Sequence, residues 1–208
     1  MYKKLFISGI DTEIGKTIIS AILTEALQAD YWKPIQSGDL DDSDTHKVQR
    51  LVANNKTKFH PEAYRLKTPM SPHASAAIDG IQIELDKIKI PATENQLIIE
   101  GAGGLFVPLN NQDTILDMIA HLKIPVVLVS KHYLGSINHT LLSINALKNR
   151  RIPIAGIIFN GEENLSTEAI IKKMSAVQII GRIDPIEDIN RLNIQKAANN
   201  LDLTRLII

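Results

Sequence analysis

Short apolar runs alternate with longer amphipathic stretches along the whole chain. Leu5-Phe6-Ile7, Leu97-Ile98-Ile99, Val126-Val127-Leu128-Val129 and Ile154-Ala155-Gly156-Ile157-Ile158-Phe159 are apolar on consecutive positions and rich in β-branched side chains. That pattern predicts strands covered on both faces. Tyr31-Trp32-Lys33-Pro34-Ile35 and Val177-Gln178-Ile179-Ile180 predict two weaker strands. From Gly15 to Gln28, apolar residues at 18, 19, 22, 23, 26 and 27 form one helical stripe. Thr114 to Leu122, Ser136 to Lys148 and Thr167 to Met174 repeat that spacing. Strand–helix alternation without long hairpin signals predicts a three-layer α/β/α fold with a mostly parallel central sheet. No repeat, low-complexity tract or linker interrupts it, so residues 1–208 read as a single domain. The least core-like stretch, Gln36 to Asp44, follows a strand, where α/β proteins carry their ligand loops.

Composition narrows the class. Apolar residues at 44% and charged residues at 22% exclude disordered, collagen-like and coiled-coil chains. Twenty-three basic side chains balance 23 acidic ones, so no global field exists to hold nucleic acid or an anionic membrane. The absence of cysteine removes disulfides, thiolate metal sites and cysteine nucleophiles. The start, Met1-Tyr2-Lys3-Lys4, runs into an apolar stretch too short for a signal peptide, and no segment reaches the ~20 apolar residues of a membrane span. The chain ends Leu206-Ile207-Ile208 without a basic amphipathic tail. A soluble, cytoplasmic protein is the expectation.

The sharpest chemical signal follows the first predicted strand: Gly9-Ile10-Asp11-Thr12-Glu13-Ile14-Gly15-Lys16-Thr17. A strand, a glycine-bounded loop and Gly-Lys-Thr opening a helix is the context of a phosphate loop. Backbone N–H groups and the helix dipole would face the phosphates. Lys16 would neutralise β/γ oxygens, and the Thr17 hydroxyl would reach Mg²⁺. Five residues rather than four separate the glycines, and fewer glycines than usual leave the Thr12 and Glu13 side chains facing the ligand. The plain alternative is a strand–turn–helix that merely contains Gly-Lys-Thr.

A magnesium nucleotide also needs carboxylates at strand ends. Glu100 closes the apolar Leu97–Ile99 run ahead of Gly101-Ala102-Gly103-Gly104. Such a carboxylate needs a metal or a cationic partner such as Lys16, unless it simply emerges into solvent. A second carboxylate lies among Asp39, Asp41, Asp42 and Asp44, which spacing leaves equivalent and which also suit a capped turn.

Together, Gly9–Thr17, Trp32-Lys33-Pro34-Ile35-Gln36-Ser37-Gly38, Ser43-Asp44, Ser71-Pro72-His73, Glu100–Gly104 and Leu134-Gly135-Ser136-Ile137-Asn138-His139 resemble, in order, the motifs of dethiobiotin synthetases. The resemblance runs from the N-terminus to about Asn160. It implies a P-loop NTPase-like fold and an ATP- and Mg²⁺-dependent ring closure from 7,8-diaminononanoate and CO₂. It further implies that Lys33 and Lys16 are catalytic, that Thr12 and Ser37 bind the diamine–carbamate end, and that Thr17, Asp44 and Glu100 hold Mg²⁺. Nucleotide contacts are implied at Glu13, Ile14, Gly15, Lys16, Thr17, Ile18, Asp44, Glu100, Gly101, Ala102, Gly103, Asn160 and Gly161. The purine end falls on Ile183, Asp184 and Pro185, where Asp184 separates an isoleucine–proline pair that the family keeps adjacent. Gly135, Ser136, Ile137 and Asn138, at a helix start, are implied to take the substrate carboxylate across a homodimer interface. The short connection from Ala26 to Lys33 predicts a reduced second strand, and Ile10, where the family has threonine, is tolerable there if its side chain faces the sheet.

Rival readings differ at named positions. P-loop switch ATPases of the division and partitioning kind carry a lysine five residues before that of Gly-Lys-Thr, and here Asp11 stands there. A related carboxyl-activating amidoligase is the third class. His46, His60, His73, His121, His132 and His139 show no metal-binding spacing, which leaves His73 and His139 as structural hydrogen-bonding groups. No G-x-S-x-G elbow is present.

Overall fold

A computed structural model describes residues 2–206. The consecutive apolar runs are strands β1 (Lys4–Gly9), β6 (Leu97–Gly104), β7 (Val126–Lys131) and β8 (Ile154–Asn160). With β2 (Asp30–Trp32), β4 (Phe59–His60) and β9 (Ile179–Ile183) they form one seven-stranded sheet, ordered β4-β2-β6-β1-β7-β8-β9. Every pairing in it is parallel.

Successive side chains of a strand point to opposite faces, and here both faces are covered. Leu5 and Ile7 pack with Ile19, Ile22 and Leu23 of α1 (Lys16–Leu27) and Ile194 of α7 (Arg191–Ala198). Phe6, between them in sequence, packs with Ile115, Met118 and Ile119 of α4 (Ile115–Leu122). Hence the absence of alternation in the sequence. The predicted helices at Ser136 and Thr167 are α5 (Ser136–Asn149) and α6 (Leu165–Ser175).

Three expectations need correction. The Tyr31–Ile35 run is not one strand. Pro34 offers no N–H to a ladder, so β2 stops at Trp32 and the chain restarts as β3 (Ile35–Ser37), which pairs in a separate two-stranded sheet with β5 (Tyr64–Leu66). The last strand begins at Ile179 rather than Val177. The stretch Gln36 to Asp44 is less solvent-like than its polarity implies, since Gln36, Gly38 and Ser43 are buried. Gln36 ties the loop together, donating from Nε2 to the Gly38 carbonyl at 2.9 Å and accepting from the Asp44 N–H at 3.2 Å. Ser43 then caps α2 (Asp44–Leu51) through a capping box with His46. A short helix α3 (Pro72–Ile78) completes the elements. The three-residue β2 agrees with a reduced second strand, and Ile10 is buried in the core, which meets the condition for its replacing threonine.

Among the described residues, no helix is long and apolar enough to cross a membrane. Ile207 and Ile208, part of the expected non-basic tail, lie outside the described residues.

Candidate active site

Parallel pairing places the C-terminal ends of β2, β6 and β1 side by side, and the site grows from those ends. Gly15 caps α1 with φ +90°, and no side chain caps that helix end. Its backbone donors therefore face the loop, as a phosphate site needs. Glu13 also adopts a positive φ, +55°, a strained conformation for a side-chain-bearing residue. Gly15 has a second constraint: a Cβ there would lie 2.1 Å from Asn160 Nδ2.

The loop borders a cleft of about 700 Å³ that brings together Thr12, Glu13, Gly15, Lys16, Thr17, Lys33, Ser37, Asp44, Glu100, Ala102 and Gly103. Residues predicted from four separate segments thus share one cavity. Lys16 is 8% exposed and donates to the Asp11 carbonyl at 2.9 Å. Burial lowers its pKa to about 8, opposed by the Glu100 charge and aided by Lys33.

The centre is a buried charge cluster. Lys33 and Glu100 are 5% and 1% exposed. Lys33 Nζ is bonded to Asp44 Oδ2, and reaches Glu100 Oε1 at 3.2 Å. Burial alone would lower the Lys33 pKa, but the Glu100 and Asp44 carboxylates hold it above the ordinary lysine value. Burial likewise works against the Asp44 carboxylate, yet Lys33 and then Lys47 keep it below the usual range. Lys33 therefore stays an ammonium in the cleft.

Thr17 Oγ1 donates to the same Glu100 Oε1 at 2.8 Å. Neighbouring ligands of an octahedral ion with bonds near 2.1 Å lie about 3 Å apart, so this spacing fits Mg²⁺. The oxygen-only donor set of Thr17, Asp44 and Glu100 fits too. Among the described residues no group of three carboxylates, imidazoles or thiolates converges on one point. The remaining positions would fall to phosphate and water oxygens, the usual arrangement for a magnesium nucleotide. Ser37 Oγ, in the same cleft, is enclosed and has no hydrogen-bond partner. It is a donor still awaiting an acceptor.

Other predicted residues lie elsewhere. Asn160 is tied to the phosphate loop, donating from Nδ2 to the Ile14 carbonyl at 2.8 Å. Gly161 N–H donates to the Ile183 carbonyl at 2.8 Å, which joins the ends of β8 and β9. Asp184 and Pro185 are exposed, and Asp184 accepts from Arg182 Nε at 3.1 Å. Gly101 is buried beneath the cleft, where an added Cβ would meet the Phe6 ring at 2.8 Å. Ile18 opens onto a second groove of about 470 Å³ with Thr17, Lys47, Arg50, Leu51 and Ile189–Arg191.

Gly135, Ser136, Ile137 and Asn138 do not border the cleft. They form the start of α5, with Ile137 and Asn138 exposed and Gly135 at φ +103°. His139 and His73 have near partners: the Tyr133 hydroxyl at 2.7 Å and the Ser71 hydroxyl at 3.0 Å. Sequence reasoning missed Pro69 and Met70 on the far side of the cleft, gave Ser71 and Pro72 no role beyond their motif, and missed the basic groove of Lys47, Arg50 and Arg191. It also missed Tyr31, whose hydroxyl donates to Glu100 Oε2 at 2.8 Å. Burial, followed by the charge of Glu100, raises that phenol well above its ordinary pKa, so it remains a donor.

Known proteins identify the family. The chain matches the family described as AAA domain over residues 3–193. It is 59% identical over 184 residues, 88% of each chain, to the ATP-dependent dethiobiotin synthetase of Christiangramia forsetii. The enzyme of the same name from Cytophaga hutchinsonii is 49% identical over 190 residues, covering 91% of this chain and 92% of that one. Among solved structures, the Pyrococcus furiosus cell division ATPase MinD gives a TM-score of 0.61 at 14% identity, covering 96% of this chain and 98% of that one. A ParA family ATPase from Chlorobium tepidum gives 0.57 at 17% identity, with coverage of 99% and 93%. Those two likenesses show a shared fold alone. The sequence relatives reach much further, and by them this chain belongs to the ATP-dependent dethiobiotin synthetase family.

Proposed function

We propose that this protein closes the ureido ring of dethiobiotin from 7,8-diaminononanoate and CO₂, with ATP converted to ADP and phosphate. One amine takes up CO₂ as a carbamate, and a carbamate oxygen attacks the γ-phosphorus as ADP leaves. The neighbouring amine then attacks the carbonyl carbon of the mixed anhydride, expelling phosphate and closing the ring. Carbamate and triphosphate are both anions, so positioning them together requires cations between them.

The observation that carries this reading is the buried Lys33 ammonium, held by Asp44 and Glu100 in one cleft with the phosphate loop and the unpartnered Ser37 hydroxyl. Lys16 and the start of α1 hold the phosphates. Lys33 shares the cleft with the phosphate loop and Ser37, and supports charge in both the attacking carbamate and the transferring phosphoryl group. Thr12 and Ser37 orient the carbamate end. Mg²⁺, held by Thr17, Asp44 and Glu100, would neutralise charge on the phosphate oxygens. Asn160, Gly161 and Ile183–Pro185 form the purine end. The start of α5 takes the substrate carboxylate of a partner subunit in a homodimer, and the protein works in the cytoplasm on small molecules, without nucleic acid or membrane.

The test is phosphate release and product mass with ATP, Mg²⁺, bicarbonate and 7,8-diaminononanoate, each omitted in turn. Release that requires both diamine and bicarbonate, with a product of dethiobiotin mass, is expected. Release indifferent to the diamine would instead favour a switch ATPase. Asp11 argues against that outcome: it puts an exposed carboxylate, not a lysine, at the position those ATPases use.

A further inference from the structure

The two oxygens of Glu100 face opposite ways. Oε1 looks into the cleft, accepting from Thr17 Oγ1 at 2.8 Å and from Lys33 Nζ at 3.2 Å. Oε2 looks into the core, accepting from the Tyr31 hydroxyl at 2.8 Å. Tyr31 is fully buried, does not border the cleft, and packs its ring against Phe59 with centroids 6.0 Å apart. Backbone register fixes the meeting, because β2 pairs with β6 and sets Tyr31 opposite Ile98, two residues before Glu100. The phenol therefore pins one edge of the carboxylate from behind.

We infer that Tyr31 holds Glu100 as a one-oxygen ligand and so sets the preference of this site for Mg²⁺ over larger divalent cations such as Ca²⁺. The inference rests on the proposal that Glu100 is a metal ligand. Mg²⁺ takes a tight octahedron of single oxygens, whereas Ca²⁺ tolerates higher coordination and accepts both oxygens of one carboxylate. For Glu100 to offer both, Oε2 must turn from Tyr31 to the cation, which would leave the buried phenol hydroxyl without its acceptor. A second sphere that orients a ligand in this way is a common means of tuning a metal site. Tyr31 is thus a positioning residue, not a catalytic one.

The probe is Mn²⁺ bound to the ADP complex of the full chain, displaced by Mg²⁺ or Ca²⁺ and read from the paramagnetic resonance of freed Mn²⁺. Tyr31→Phe keeps the buried ring and removes only the hydroxyl. It is expected to raise Ca²⁺ affinity relative to Mg²⁺ by about tenfold. An unchanged ratio in Tyr31→Phe, with Mn²⁺ binding weakened in Glu100→Gln, would overturn the role of Tyr31 alone. Mn²⁺ binding that ignores Glu100→Gln would remove the ligand assignment and the inference with it. Should Tyr31→Phe fail to fold, a crystal structure of the wild-type ADP–Mg²⁺ complex decides. Glu100 is expected to bind the metal through Oε1 with Tyr31 still on Oε2, and two-oxygen ligation or a detached Tyr31 would refute the claim.

Discussion

Lys33 shows how one side chain can be both a structural and a chemical problem. A buried ammonium is tolerable only with partners, and Asp44 and Glu100 supply them. Lys33→Ala leaves two carboxylates facing each other, so apoprotein stability should fall by about 3 kcal/mol. Turnover should fall at least about a hundredfold, while ATP affinity stays near wild type, because Lys16 and the loop N–H groups hold the phosphates. Equilibrium nucleotide binding checks this: a loss as large as that of Lys16→Ala would reassign Lys33 to nucleotide binding. Ser37 makes a complementary case. Its Oγ lacks a partner in the free protein, so Ser37→Ala should leave unfolding within about 0.5 kcal/mol of wild type. The same variant should raise the KM for the diamine, and an unchanged KM would exclude contact with the substrate.

At the scale of elements, Lys33 directly follows the three-residue strand β2, and that strand is secured from its first residue. Asp30 accepts from the Lys58 N–H at 2.9 Å, Thr93 Oγ1 at 2.7 Å and Asn95 Nδ2 at 3.2 Å, and lies 3.1 Å from His60 Nε2. Burial alone would raise its carboxyl pKa, but these hydrogen bonds hold it below the ordinary aspartate value. A depressed pKa means that the folded state favours the carboxylate. The resulting stability is complete above the unfolded value of about 4 and fades as pH falls below it. Asp30→Asn should therefore lower stability at neutral pH and flatten its decline on acidification, measured as urea midpoints across that range. What the sequence revealed at this scale follows a physical rule. Leu5–Ile7 and Val126–Val129 were legible because strands buried on both faces are apolar at every position. Helix α7 was not, because only Ile194 and Ala197 of its eight residues are buried, too few to draw a stripe. The phosphate loop was legible because its parts are contiguous. The Tyr31–Glu100 bond was not, since it depends on β2 and β6 becoming neighbours across 69 residues of chain.

At the scale of the whole molecule, one group of predicted substrate residues stands apart from the cleft. Thr12 and Ser37 border it, while the start of α5 does not. A homodimer resolves that separation if α5 of one subunit completes the cleft of the other. Exposed apolar side chains accompany that helix start: Leu134 is fully exposed, and Leu142 and Phe106 are more than half exposed. The arrangement makes a numerical prediction. Lys33→Ala inactivates the cleft that carries it, and Asn138→Asp sets a carboxylate against the incoming substrate carboxylate at the helix start. Asp near a helix N-terminus is favourable to the helix itself, so Asn138→Asp should fold normally and raise the KM for the diamine. Each variant alone should be poorly active at low substrate. Mixed in equal amounts and allowed to exchange subunits, half of the dimers become heterodimers. If α5 acts across the interface, each heterodimer owns one site with both wild-type residues, and activity recovers to about a quarter of wild type. If α5 serves its own subunit, every site keeps one defect and mixing recovers nothing. A mixture no more active than the mean of its parts, with subunit exchange verified by mass, would place the carboxylate site within one chain.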